Sequence, residues 1–69
     1  MGEIEKLKAM AVNIHRRSWE RVKAQEALLE VGTKEAMLAL LDIASIETLY
    51  EWERDSALTK ARKLIKEQK

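Results

Sequence analysis

The sequence predicts an all-α protein, a small four-helix bundle, on three observations. Proline is absent, only Gly2 and Gly32 interrupt the chain, and strong helix formers dominate its composition. Apolar residues recur at the three- and four-residue spacing of a helix face. The tripeptide Trp-Glu-Arg occurs twice, at 19–21 and at 52–54, which is an offset of 33 positions. Internal repetition of this length is typical of helical repeats, so we expect about two copies of a helix pair.

The first two helices follow from apolar spacing and capping residues. The first is predicted over residues 3–12, because four apolar residues share one stripe at helical spacing: Ile4, Leu7, Ala11 and Ile14. The second is predicted over 13–31 with Asn13 as its N-cap, and Ser18 is the alternative N-cap of a shorter helix. Gly32 is expected to end this helix in a left-handed conformation.

The last two helices are placed in the same way. Thr33 is predicted to cap a third helix over residues 34–44, which is apolar around most of its circumference. Leu38 lies on the polar arc of this helix and is expected to be exposed. Ser45 is predicted to cap a fourth helix over 46–67.

The second predicted helix carries two apolar faces. One face holds Ala24, Ala27, Leu28 and Val31, and the nearly opposite face holds Trp19, Val22 and Leu29. A helix with a single neighbour needs one apolar face, whereas a helix between neighbours needs two. We therefore expect this helix to lie in the middle of a layered stack.

Length and composition restrict the class of protein. The 69 residues suffice for one domain, and the chain has no cysteine that could form a disulfide. The sequence contains no apolar run long enough to cross a membrane and no recognisable signal peptide, so we expect a cytoplasmic protein. The net charge is only +1, so the electrostatic field of the whole molecule is weak.

Residues 21–44 form a helix that ends in Ala-Leu-x-x-Val-Gly, then a polar turn, then a helix with a Leu-Leu pair. In this pattern the chain resembles a HEAT repeat of the phycobilisome-lyase type. The matching residues are Ala27, Leu28, Val31, Gly32, Ala36, Leu40 and Leu41. Residues 53–65 would open a following repeat, and 3–12 would close a preceding one. The resemblance implies a fragment of an α-α superhelix that binds proteins and carries no chemistry.

We accordingly expect a non-catalytic scaffold that binds a partner protein or a second copy of itself. A stack of two helix pairs has uncapped ends, which favours a homodimer. The candidate interaction surface consists of Leu38, Leu49 and Trp52 as one exposed apolar patch. The recurrence of tryptophan in both copies favours a packing role for Trp19 and Trp52. The alternative is an exposed contact residue, for which Trp52 is the better candidate because it lies off the main apolar face.

The sequence predicts no catalytic, cofactor-binding or metal-binding residue. His15 is the single histidine, and no nucleophile or third catalytic residue is arranged to support it. No glycine-rich phosphate loop is present. Acidic pairs such as Glu47 and Glu51 are expected to be solvated, and Glu53 is expected to be offset by cations at positions such as Lys23.

A basic cluster and a second resemblance leave an alternative function open. The cluster consists of Lys60, Arg62, Lys63 and Lys66, within a segment 58–69 that holds five cations and one acid. Its favoured role is to complement the dipole at a helix C-terminus, and the alternative is a patch for nucleic acid or an acidic partner. Residues 33–62 also resemble a helix-turn-helix of the excisionase or MerR kind through Thr48-Leu49-Tyr50-x-Trp52. The alternative is therefore a DNA-binding protein, although its recognition helix would carry four acids that phosphates repel: Glu47, Glu51, Glu53 and Asp55.

Overall fold

The computed structural model describes residues 2–67, and within them the chain forms four α-helices and no strand. These helices are α1 (Glu3–Val12), α2 (Ser18–Val31), α3 (Lys34–Ala44) and α4 (Glu51–Glu67). The prediction of an all-α bundle is therefore confirmed.

The boundary between α2 and α3 lies where its capping residues predict it. Gly32 ends α2 in the left-handed region, at φ 68° and ψ 9°, and its N–H donates to the carbonyl oxygen of Leu28 at 3.2 Å. The Thr33 hydroxyl then accepts a hydrogen bond from the backbone N–H of Ala36 at 3.2 Å, which caps α3. Both signals act within one turn of the chain, so they are independent of tertiary packing.

The predicted start of α2 at Asn13 is wrong, and the shorter alternative is correct to within one residue, because the helix begins at Ser18 with Arg17 as its N-cap. Asn13 instead follows the last residue of α1, and its Oδ1 accepts the backbone N–H of His15 at 2.9 Å. This contact closes a local turn, which competes with helix formation. From inside α2, Glu20 Oε1 accepts the backbone N–H of Arg17 at 3.2 Å and fixes the first turn.

The predicted start of α4 at residue 46 is also wrong, because the helix begins at Glu51. Ser45 ends α3 rather than capping α4, and its hydroxyl donates to the carbonyl oxygen of Asp42 at 2.7 Å. Residues 46–50 form a connection of turns, which Leu49 anchors in the core with 3% of its surface exposed. Ile46 and Leu49 are three residues apart, which is a helical spacing, but they belong to this non-helical connection. The spacing therefore gave a false prediction of a helix.

The helices form two pairs that lie side by side. The most extensive contacts join α1 to α2 and α3 to α4, and smaller contacts join α1 to α3 and α2 to α4. The contact between α2 and α3, which the HEAT resemblance assigns to one repeat, is less extensive than either pair. Because α2 and α4 begin 33 residues apart, at Ser18 and Glu51, the repeat in the sequence relates one pair to the other.

The core lies between the two layers of helices and is rich in alanine. Equivalent positions of the repeat are buried in both pairs: Ala24 and Ala57 are 2% and 0% exposed, and Leu28 and Ala61 are both 0% exposed. Small side chains let the helix axes approach closely, so a chain of this length can still exclude water. The buried apolar residues are Ala11, Ala24, Leu28, Ala36, Ala39, Leu40, Ile43, Leu49, Ala57, Ala61 and Leu64.

Only one of the two apolar faces of α2 is fully covered. Ala24 and Leu28 are buried on the first face, whereas Trp19 on the second face is 57% exposed and Val22 is half-buried. The prediction that α2 packs against neighbours on both faces is therefore wrong at its N-terminal end. The partly covered face is the one that forms the candidate site.

Candidate protein-interaction surface

An open groove runs between the N-terminal halves of α2 and α4, with a volume of about 490 Å³. We call it the tryptophan groove, because the side chains of Trp19 and Trp52 both line it and are 57% and 53% exposed. Its lining is mostly apolar. The lining residues are Ser18, Trp19, Val22, Lys23, Glu26 and Trp52.

The repeat places both indoles in this groove. Each tryptophan is the second residue of its helix, and the two helices lie side by side. Equivalent positions of the two pairs therefore meet on one surface. The ammonium of Lys23 lies 5.8 Å from the centre of the Trp19 ring, one helical turn further along α2, which is a cation–π contact at the edge of the groove.

A buried ion pair joins the same helix turns on their inner side. Arg21 Nε lies 3.0 Å from Glu53 Oε2, and Arg21 Nη2 lies 2.7 Å from Glu53 Oε1. Arg21 is 5% exposed and Glu53 is 0% exposed. The hydrogen bond to Glu53 raises the pKa of Arg21 above its ordinary value, although burial acts in the opposite direction. The guanidinium therefore stays charged inside the protein.

The same guanidinium fixes the connection between α1 and α2. Arg21 Nη1 donates to the backbone carbonyl oxygens of Asn13 and Arg16, the two ends of the turn before α2. The Gln25 side chain adds a hydrogen bond from Nε2 to the backbone oxygen of Glu53 at 3.1 Å. Geometry of this kind specifies one register of α2 against α4, because any other register leaves a buried charge unpaired.

The structure corrects several sequence-based expectations about these residues. Leu49 is 3% exposed, so its assignment to an exposed patch is wrong. Trp52 and Leu38 are exposed as expected, at 53% and 47%, but Leu38 is not among the residues that line the groove. The packing role favoured for both tryptophans is wrong. Glu53 is offset by a cation of α2, but this cation is Arg21 rather than Lys23, and the pair is buried. Trp19 and the Arg21–Glu53 pair are the site residues that the sequence analysis missed.

The basic cluster lies in the C-terminal half of α4, and of its four residues only Lys66 is in the last turn, where a cation complements the helix dipole. Three of its cations, Arg62, Lys63 and Lys66, are exposed, and none of the four is in an ion pair with a described residue. Lys60 is half-buried, and its Nζ donates to the Ser56 hydroxyl at 2.6 Å. Residues 68 and 69, the end of the basic segment, lie outside the described part of the chain.

Comparison with known proteins adds no family to these observations. No protein-family model matches the sequence, and no curated protein or solved structure matches it. Within residues 2–67, no helix has the length and apolar character needed to cross a bilayer. In the same part of the chain, no group of His, Cys, Asp and Glu side chains is placed to hold a metal ion. Fold and surface together define an all-α bundle of two helix pairs with an aromatic groove.

Proposed function

We propose that the protein is a non-catalytic helical-repeat scaffold, of the HEAT-like kind, that binds a protein through the tryptophan groove. The observation that carries the proposal is the exposure of two equivalent tryptophans, 57% and 53%, on one surface. Leaving large apolar side chains in water forgoes the stabilisation that their burial gives. Tryptophan is also the residue type most enriched among the residues that dominate binding energy at protein interfaces.

The shape of the groove favours a protein over a small ligand. Sites for small molecules enclose most of the ligand surface, with a few convergent polar groups that fix its orientation. The tryptophan groove is open along its length, and its charged lining residues are Lys23 and Glu26. A second protein surface covers such a groove completely, because it contacts the rims as well as the floor.

The observed helix boundaries weigh against the DNA-binding alternative. Thr48 and Tyr50 lie before α4, so the segment that would open a recognition helix is part of the preceding connection. The exposed acids Glu51 and Asp55 lie at the N-terminal end of α4, where they would repel phosphates. Glu53 is buried in its pair with Arg21 and presents no charge to a ligand.

The proposal is tested with a double variant, Trp19→Ala/Trp52→Ala, and a matched control, Leu38→Ala, which truncates an exposed apolar residue outside the groove. Wild-type protein is immobilised, the proteins it retains from a lysate of the encoding organism are identified, and each candidate is purified. Its affinity for the wild type and both variants is then measured by calorimetry. We expect each tryptophan to contribute about 30-fold or more to the affinity, as interface hot spots do, and Leu38→Ala to leave it unchanged.

Two results would contradict the proposal. The first is a purified partner that binds the double variant as tightly as the wild type while circular dichroism shows that both are folded. The second is retention of duplex DNA of random sequence, with an affinity that falls steeply as salt is raised, in place of any protein. That second result would support the helix-turn-helix alternative.

A further inference from the structure

The Arg21–Glu53 pair is a contact between the two repeated units. Unit 1 consists of α1 and α2, and unit 2 consists of α3 and α4. By the offset of 33 residues, Glu53 of unit 2 corresponds to Glu20 of unit 1, and Arg54 corresponds to Arg21. Each unit thus carries one arginine and one glutamate at equivalent positions. The contact within the chain uses the arginine of unit 1 and the glutamate of unit 2, which leaves Arg54 and Glu20 outside it.

Arg54 has an incompletely satisfied side chain. Its Nε is buried and has no hydrogen-bond partner among the described residues. Because this nitrogen is enclosed by the chain itself, a partner could reach only the remainder of the half-buried side chain, which forms no ion pair with a described residue. The arginine at the equivalent position in unit 1 binds a glutamate through the same nitrogen, with Nε–Oε distances of 3.0 and 3.2 Å.

Glu20 is able to accept a further hydrogen bond. Its Oε1 accepts the backbone N–H of Arg17, and its Oε2 accepts from Arg16 Nη1 at 3.1 Å in an ion pair near the surface. A carboxylate offers about four lone-pair positions, so these partners leave room for a guanidinium. The exposed pair with Arg16 contributes little and is readily exchanged.

The outer side of unit 2 is apolar next to Arg54. Gln25 lies on the side of unit 1 that faces α4. It is fully buried there, and its side chain donates a hydrogen bond to the backbone oxygen of Glu53. The equivalent residue on unit 2 is Leu58, which is 37% exposed, and Ile65, on the same face of α4, is 46% exposed. The side of unit 2 that a third unit would cover therefore combines exposed apolar residues with a half-buried arginine that has no ion-pair partner among the described residues.

We propose that a second copy of the chain stacks on this side, head to tail, with Arg54 of one copy bound to Glu20 of the next. The contact repeats between copies what Arg21 and Glu53 do within one copy. Its charges are complementary, with an arginine on one side and a glutamate on the other. The inference depends on the repeat architecture of the proposed function and uses a different surface from the tryptophan groove. A head-to-tail contact does not close in a dimer, so association continues into longer stacks.

Charge reversal tests this contact. The variants are Arg54→Glu and Glu20→Arg, each alone, mixed in equal amounts, and combined in one chain. Lys63→Glu and Glu30→Arg are the matched controls, since they make the same charge changes at exposed positions of α4 and α2. Circular dichroism establishes that each variant is folded. Sedimentation velocity then gives the average mass of wild type and variants from micromolar to millimolar concentration.

We expect the average mass of the wild type and both controls to rise with concentration beyond that of a dimer. Each single reversal places like charges at the contact and weakens association by about tenfold or more. The equal mixture restores association, because alternating copies of the two variants bring opposite charges together at every contact between positions 54 and 20. The doubly reversed chain restores it as well.

Several outcomes would overturn the inference. One is a wild type that stays monomeric over the whole concentration range. Another is association that the single reversals leave unchanged, or that neither the mixture nor the double reversal restores. A dimer of fixed mass that Trp19→Ala/Trp52→Ala abolishes would locate self-association in the groove. That result would leave the proposed function standing while removing the head-to-tail contact.

Discussion

Arg21 and Glu53, which belong to the two copies of the same tripeptide, form a buried ion pair between α2 and α4. Two nitrogens of the guanidinium bind the carboxylate, at 3.0 Å and 2.7 Å. Removing two charges from water is unfavourable, and good geometry offsets that penalty without adding much net stability. The pair therefore contributes chiefly to the uniqueness of the packing.

Loss of one partner should be strongly destabilising. Glu53→Gln keeps the size of the side chain but leaves the guanidinium of Arg21 without a counter-charge, so we expect a loss of about 3–5 kcal/mol in the free energy of unfolding. Urea denaturation followed by circular dichroism measures it. The control is Asp42→Asn, which removes the exposed pair with Lys8 and should cost less than about 1 kcal/mol. Equal effects of the two variants would show that burial of the Arg21 pair is unimportant.

The charge of Arg21 should be insensitive to alkaline pH. Because the pKa of Arg21 is raised above its ordinary value, the stabilisation from the pair is fully present below that value and is lost only as pH rises through the raised pKa. In Arg21→Lys the cation would lose its proton near the ordinary lysine pKa of about 10.4, or lower if burial dominates. We expect the stability difference between wild type and variant to widen as pH rises from about 8 to 11. A difference that stays constant over this range would contradict the assignment.

The core position of Leu28 predicts a large effect of truncation. Leu28 is 0% exposed, so Leu28→Ala removes buried methyl groups and leaves a cavity, at a cost of about 2–5 kcal/mol. The matched control is Leu38→Ala, at a position that is 47% exposed, where we expect a change within about 0.5 kcal/mol. Chemical denaturation of both variants provides the comparison. A loss below about 0.5 kcal/mol for Leu28→Ala would be incompatible with the layered arrangement.

The left-handed conformation of Gly32 sets the penalty for a side chain at that position. A Cβ atom there would meet its neighbours at ordinary distances of 3.7 Å or more, so the cost is conformational. We expect Gly32→Ala to destabilise the protein by about 1–2 kcal/mol. Gly2→Ala is the control, because Gly2 has an ordinary backbone conformation and no atoms within 4 Å of the added methyl group. Thermal unfolding of the two variants should differ clearly, and coincident curves would refute the argument.

The sequence predicted the elements whose boundaries depend on local chemistry. Gly32 and Thr33 act within a single turn, and the junction of α2 with α3 lies where they place it. The starts of α2 and α4 were misplaced because a local turn delays the first and tertiary packing decides the second. Asn13 forms a turn with His15, and Leu49 anchors a non-helical connection in the core. Neither effect is visible in apolar spacing.

The buried ion pair left a signal in the sequence that periodicity makes readable. Glu53 falls on the same helix face as Ala57 and Leu64, and Arg21 falls on the face of Leu28. A charged residue of opposite sign on the buried face of each repeated helix indicates a partner inside the core. No such signal in the sequence predicts that the tryptophans are exposed. An indole near the start of a helix is buried or exposed depending on which neighbouring elements the fold places beside it.

The exposure of both indoles also determines which events tryptophan fluorescence can detect in this protein. Excitation at the long-wavelength edge of the protein absorption band selects tryptophan. Both tryptophans are already exposed to water in the folded protein. The wavelength of their maximum emission will therefore change little when urea unfolds the helices. A shift of this maximum to shorter wavelength will instead show that another molecule has covered the indoles. The intrinsic fluorescence of the native protein can therefore be used to monitor binding without an added label.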